Sequence, residues 1–252
     1  MAVGKILVTR PAHQAGPFLE RLCSKGLAPL AFPAIEIMPI KLESFAQDQF
    51  ANWQGQDLVI FISANAVRFA QPYFNTDAYP LLAAIGGRTA TMLEELGLKV
   101  GLCPESGFNS EALLSLPELS SLQGRSVMIV KGAGGRTLLQ EELRKRGADV
   151  TELEVYRRSV TTADPAGVLS YGASGEIGLI TITSVEALEA LIQVLGDQAR
   201  EWLFLTPLLA GSSRIADAAM AAGFRNVIIS ADPSDESMFE AVLQWLKQKE
   251  YK

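Results

Sequence analysis

The sequence predicts an α/β protein of two similar lobes, each a five-stranded parallel sheet covered by helices on both faces, joined by a two-stranded connector. Three observations predict it. Short β-branched-rich runs alternate with amphipathic helical segments along the chain. Five blocks recur in the same order in its two halves. Two extended segments that break the alternation stand at equivalent places in those halves.

Strands are predicted to begin near Lys5, Pro29, Leu58, Leu81 and Lys99, and again near Ser126, Asp149, Ile177, Pro207 and Asn226. The first repeated block is an apolar strand ending in a basic residue, Lys5 to Arg10, matched by Ser126 to Lys131, 121 positions later. A helix follows each, closed by Gly26 and by Gly147, again 121 apart and placed as C-terminal caps. Val59-Ile60-Phe61-Ile62-Ser63 keeps the same offset to Ile180-Thr181-Ile182-Thr183-Ser184. The offset has grown to 125 at Ala84 and Leu209, where Gly86-Gly87-Arg88-Thr89-Ala90 answers Gly211-Ser212-Ser213-Arg214-Ile215, and Gly97 and Gly223 end the two helices. Asn109-Ser110-Glu111 and Asp235-Glu236-Ser237 each open a helix with capping residues. One matching block is unremarkable; five in one order are a duplication.

The two segments outside the alternation are Ala34 to Ile40 and Glu154 to Val160. A pair of strands crossing between the lobes accounts for both. In parallel sheets ligands collect beyond the carboxyl ends of the strands. Here those ends carry Thr9-Arg10, Ser63, Gly86-Gly87, Lys131-Gly132, Ser184 and Gly211-Ser212-Ser213, most of them just before a helix. Two such rims facing one another would make a cleft rich in helix N-termini, suited to carboxylates.

Composition narrows the function. A net charge of -6 without a basic tract argues against nucleic acid, because phosphate neutralisation needs clustered Lys and Arg. Cys23 and Cys103 lack a CxxC partner and a nearby histidine, which predicts reduced, buried thiols in a cytoplasmic protein. The N-terminal stretch from Met1 is broken at Pro11, too soon for a signal peptide, and no apolar run approaches the roughly 18 residues of a membrane span. His13 is the sole histidine, so a zinc site or a Ser-His-Asp triad has no partners to build from, and His13 reads as a solvated loop residue.

Each motif has a bland reading beside the functional one. Lys131-Gly132-Ala133-Gly134-Gly135-Arg136 lies between a strand and a helix. As a dinucleotide fingerprint it lacks the third glycine, where Thr137 stands, although Glu152 lies at a distance suited to a ribose contact. As a turn it needs glycine for positive φ, and it offers exposed amides beside Lys131 and Arg136 to an anion. Ser63, Ser184, Thr89, Ser212 and Ser213 read as helix caps, and a capping residue at a rim can also bind. Arg157 and Arg158 read as a solvated strand face. Tyr156 alternates with the charged Glu154 and Arg158, which predicts a side chain turned toward water; packing is the competing reading. Trp53, Trp202, Phe204 and Trp245 read as packing residues.

With these residues in view the chain resembles the uroporphyrinogen-III synthase family essentially end to end. The most specific piece is Lys131 to Arg136 followed by Leu153-Glu154-Val155-Tyr156-Arg157-Arg158, similar to the family's basic-Gly-x-Gly-Gly-Arg turn and Val-Tyr-basic strand. Leu7 to Pro11, Phe61 to Val67 and Gly86 to Ala90 support it. The second copy of the Gly-x-x-Thr-Ala turn departs, so either Ser213 supplies the hydroxyl or Arg214 a charge instead.

The resemblance implies flavodoxin-like lobes that interleave: residues 1–34 with 161–252, residues 41–153, and a hinge of 35–40 and 154–160 that allows motion between them. It implies a cyclising lyase that closes the linear tetrapyrrole hydroxymethylbilane, which carries eight carboxylates, into uroporphyrinogen III. Water is lost through an azafulvene, and a spiro intermediate inverts the last, D ring. This belongs to haem, sirohaem and cobalamin biosynthesis and requires no cofactor and no metal. Tyr156 is the expected catalytic residue. Arg10, Ser63, Asn65, Gly86, Thr89, Lys131, Gly132, Arg136, Ser184, Ser212 and Ser213 are the expected substrate-binding residues. The expected partner is the tetrapyrrole alone, met by a cytoplasmic monomer in transient contact with the enzyme that makes hydroxymethylbilane, with no nucleic acid and no membrane. The rival from another class is a non-catalytic two-lobed binding protein for a small anion, and a nucleotide-dependent transferase stands behind it.

Overall fold

The structure, a computed structural model, describes residues 4–74, 76–107 and 109–250. Met1, Ala2 and Val3, the head of the N-terminal stretch discussed above, lie outside the described residues. The chain runs β1 (Lys5–Val8), α1 (Ala12–Ser24), β2 (Pro29–Ala31), β3 (Ile35–Pro39), α2 (Ser44–Ala51), β4 (Leu58–Phe61), α3 (Ala64–Ala70), β5 (Leu81–Ala84), α4 (Gly87–Glu95) and α5 (Ser110–Leu114). It continues through β6 (Ser126–Gly132), α6 (Leu138–Lys145), β7 (Asp149–Val160), α7 (Ala166–Ala173), β8 (Ile177–Ile182), α8 (Val185–Leu195), α9 (Arg200–Leu203), β9 (Leu208–Ala210), α10 (Ser213–Ala222), β10 (Val227–Ile229) and α11 (Asp235–Glu250).

The chain divides into two units, one of Met1–Glu36 with Ser159–Lys252 and one of Ile37–Arg158. The boundaries fall inside β3 and β7, so these two strands carry the chain from one unit to the other.

The first unit holds a five-stranded sheet in the order β10-β9-β8-β1-β2, with every neighbouring pair parallel. A sheet covered on both faces has no polar side, and its strands read as continuous apolar runs. Successive side chains alternate between two cores. Ile6 and Val8 of β1 enter one of them with Leu179 and Leu209, under Ala15, Phe18 and Leu22 of α1 and Met238, Val242 and Trp245 of α11. The buried α1 residues recur at three and four positions, the face a helix presents to a sheet.

The second sheet has the order β3-β7-β6-β4-β5, and its β5–β4, β4–β6 and β6–β7 pairs are parallel. All four residues of β4 are buried, yet Val59 and Phe61 enter one core and Leu58 and Ile60 the other. Met128 and Val130 of β6 join Val59, and Val127 and Ile129 join Leu58. Trp53 stacks on Phe74 at 4.6 Å and meets Phe61 edge-on at 6.4 Å, which makes it a packing residue.

The strand predicted near Lys99 is reduced to one parallel bridge, Ala83 to Leu102. The fifth strand of this sheet is β3, a connector segment. Pro104 follows shortly after the bridge and cannot donate to a ladder. Cys23 is exposed rather than buried, because it falls on the outer side of α1 next to the buried Leu22; Cys103 is half-buried. Both thiols are free.

Candidate functional site

In each unit the chemistry-bearing residues gather where strands end and helices begin. In the second unit Ser63 caps α3, its Oγ accepting from the Ala66 amide at 3.0 Å. The same Oγ lies 3.1 Å from the phenolic oxygen of Tyr156. The Tyr156 ring is 2% exposed and stacks on Phe69 with centroids 5.8 Å apart. The Arg158 guanidinium stands 5.8 Å from the ring centre.

This corrects the expectation that Tyr156 faces water. Strict alternation would put Tyr156 with Glu154, but the ladder to β6 slips: Lys131 pairs with Glu154 and Gly132 with Tyr156, leaving Val155 as an extra residue. That bulge turns the tyrosine back to the side of Val155, and both lie in one core. The position also explains Gly132. A Cβ there would fall 2.5 Å from Cζ of the phenol, so the ring crosses the end of β6 only because the residue is glycine.

The glycine-rich turn continues through Gly134 and Gly135, both at positive φ. The Gly134 amide donates to Glu154, and the exposed Arg136 pairs with Glu111. That guanidinium holds the Glu111 carboxyl below its ordinary value. Lys131 is buried, its ammonium donating to Glu152 at 3.0 Å, while the other Glu152 oxygen accepts from Arg144 at 3.0 Å. The acid that suited a ribose is thus the counter-ion of the strand-end lysine. Asn65 is the second residue of α3. Gly86 is the N-cap residue of α4, with extended backbone, and Thr89, the third helical residue, is buried.

In the first unit Arg10 is 7% exposed, ion-paired with Asp235, donating to the Pro233 carbonyl at 2.9 Å and lying over Phe18. Ser184 caps α8 through the Ala187 amide at 3.0 Å, the duplicate of the Ser63 cap. Ser212 is the N-cap residue of α10 without a side-chain cap bond, and Ser213 is the first helical residue. Matching the caps of α4 and α10 sets Gly86 against Ser212 and Thr89 against Ile215, which is buried. The duplicated turn therefore loses its buried hydroxyl, and Ser213 and Arg214 occupy exposed first-turn positions.

The structure thus brings Tyr156, Ser63 and Gly132 into contact, and places Arg10, Lys131 and Arg136 each against a carboxylate. Phe69 and the counter-ions Asp235 and Glu111 were not legible as site residues, and Glu152 was legible only as a ribose contact. Phe69 carries one faint signal, its place on the helix that Ser63 opens. A cavity of about 730 Å³ in the first unit lies at the opposite end of that sheet, lined by Lys5, Glu176, Ile177 and Pro207, away from these residues. His13 is exposed on the first turn of α1, and no His, Cys, Asp and Glu cluster among the described residues could hold a metal ion. No helix among them is long and apolar enough to cross a membrane.

Residues 17–240 match the family model described as uroporphyrinogen-III synthase HemD. The chain is 32% identical to the uroporphyrinogen-III synthase of Escherichia coli K12 over 94% of this chain and 99% of that one. It is 31% identical to the Salmonella typhimurium enzyme over the same shares. Among solved structures, a mutant uroporphyrinogen III synthase from the extremely thermophilic bacterium Thermus thermophilus superposes with a TM-score of 0.64 at 20% identity, covering 99% of this chain and all of that one. The Helicobacter pylori uroporphyrinogen-III synthetase gives 0.61 at 16%, covering 96% and 99%.

Proposed function

We propose that this chain, which belongs to the uroporphyrinogen-III synthase family, cyclises hydroxymethylbilane to uroporphyrinogen III with loss of water and inversion of the terminal ring. The observation that carries this is the end-to-end match to the Escherichia coli enzyme, 94% of one chain against 99% of the other. A rival anion-binding role leaves that colinearity unexplained.

Three tasks fall to the chain's own residues. Substrate carboxylates are held by many weak donors at the strand ends of both units: Arg10, Asn65, Gly86, Thr89, Lys131, Gly132, Arg136, Ser184, Ser212 and Ser213. The starts of α4 and α10 support this, since neither N-cap residue, Gly86 or Ser212, makes a side-chain cap bond. Departure of the terminal hydroxyl needs a proton, and Tyr156 supplies it through its phenolic O–H, a hydrogen-bond donor. Ring inversion then follows from holding both ends of the bilane in one geometry. The same reading makes the protein a cytoplasmic monomer that takes its substrate from the enzyme that makes it.

The test is product analysis. Supplied with hydroxymethylbilane, the purified protein should yield the type III macrocycle, whereas uncatalysed closure gives type I. Type I alone at high protein concentration would end the proposal.

A further inference from the structure

We infer that Ser63, rather than Tyr156 itself, is the group that meets the departing hydroxyl, and that the phenol acts through it. The inference rests on the proton-donor role proposed for Tyr156 and says by what path the proton travels. Two observations carry it. The tyrosine is 2% exposed, with Gly132 beneath its ring, Phe69 stacked on it and Val155 beside it, whereas Ser63 is half-buried. The phenolic oxygen and Ser63 Oγ are 3.1 Å apart, a hydrogen-bond distance.

The bonding of Ser63 fixes the polarity. A hydroxyl accepts twice and donates once. Ser63 Oγ already accepts from the Ala66 amide at 3.0 Å. If it also accepts from the Tyr156 hydroxyl, its acceptor capacity is filled and its proton is left for a third group. The opposite polarity would spend the serine proton on the phenol and leave the tyrosine proton within the packed interior. The first arrangement gives the buried phenol its acceptor and presents a proton at the more exposed atom.

The step balances without a further reactant. The bilane C–O bond breaks and its electron pair leaves with oxygen, while the pyrrole nitrogen fills the vacancy and becomes part of an azafulvenium cation. Ser63 gives its proton to that oxygen, forming water, and takes the proton of Tyr156. The phenolate left behind has the Arg158 guanidinium 5.8 Å from its ring centre. When the ring carbon attacked at closure sheds its proton, the proton returns by the same serine, and both hydroxyls are restored.

A double-mutant cycle on the full chain tests the path. Ser63→Ala removes the relay, and Ser63→Gly does so while keeping most of the capping ability of the position. Both should lower kcat at least about tenfold, within the range of positioned acid catalysis. KM should stay within about twofold, since this loss falls on the transition state. Ser63→Thr keeps the hydroxyl and should restore most of the rate. Ser63→Ala combined with Tyr156→Phe should be no slower than Ser63→Ala alone. Full multiplication of the two losses, or a raised KM at normal kcat, would show Ser63 acting independently or as a carboxylate ligand, and would overturn the relay. Tyr156→Phe at full speed would remove the parent role and the relay with it. Tyr156→Phe slow with Ser63→Ala fast would overturn the relay alone.

Discussion

The phenol of Tyr156 is fixed on three sides, by Phe69, by the bare Gly132 and by Ser63, and each contact makes a different demand of it. Removing the hydroxyl alone keeps the stacking and the fit over Gly132. Tyr156→Phe should therefore melt close to the parent protein, losing about 1 kcal/mol for one hydrogen bond. Its turnover should fall at least about tenfold, the low end for a positioned acid, because the hydroxyl leaves readily once the pyrrole nitrogen pushes. Product affinity should hardly change. Full turnover in this variant would make the tyrosine a packing residue. Gly132→Ala makes the converse test, since it keeps the phenol and moves the ring. A methyl 2.5 Å from Cζ forces the side chain or β6 to shift, at a cost of about 1–3 kcal/mol, and turnover should fall with it. A Gly132→Ala protein as fast as the parent would show that the ring has room to move without loss.

At the scale of elements, the strand-end cations serve two ends at once. Lys131 is buried at the end of β6, and its ammonium joins β6 to β7 through Glu152. Lys131→Met keeps the aliphatic stem and deletes the charge, but Glu152 retains Arg144. The loss of stability in urea should be about 1.5–3 kcal/mol, the worth of a hydrogen bond to a charged group. A larger loss would mean that Arg144 does not hold the remaining carboxylate. Glu36 makes a second such tie, accepting from the Thr162 amide at 2.9 Å and from the Thr161 hydroxyl at 2.8 Å. These bonds, the amide first, hold its carboxyl below the ordinary 4.5. A depressed carboxyl stabilises the fold above its unfolded value, and that stabilisation is lost as pH falls through the folded one. Glu36→Gln should therefore melt below the parent at pH 7, and the gap should narrow as pH falls below 4.5 and close once the folded carboxyl takes up its proton. A gap independent of pH would rule out the charge as its source. Much of this level was legible in the sequence, because alternation and helix-ending glycines are local. The rest depended on partners distant in the chain. The bulge at Val155 shows only in the β6–β7 register, and the strand near Lys99 failed for want of a ladder, leaving β3 as the fifth strand. Counter-ions such as Asp235, 225 residues from Arg10, have no sequence signal at all.

Across the whole molecule the question is how a chain of net charge -6 holds a substrate with eight carboxylates. A concentrated basic patch is not the means: Arg10, Lys131 and Arg136 are each engaged by a carboxylate. On the proposed reading, binding draws on many donors, backbone amides at helix starts among them, and each charged contact is partly offset by the counter-ion it leaves. A charge-assisted hydrogen bond contributes about 1.5–3 kcal/mol when nothing competes. With competition the low end applies, so Arg136→Ala or Ser184→Ala should weaken product binding by about tenfold or less. Glu111→Gln is expected to act in the opposite direction. Its carboxylate lies on the exposed Arg136, and neutralising it frees that guanidinium and removes a like charge from the approach of an anion. Product should bind more tightly to Glu111→Gln at low salt, with the gain fading as salt screens it. Titration calorimetry of the single variants measures both signs. One substitution that abolished binding in a folded protein, or a Glu111→Gln variant that bound more weakly, would replace the distributed account with a single anchoring site.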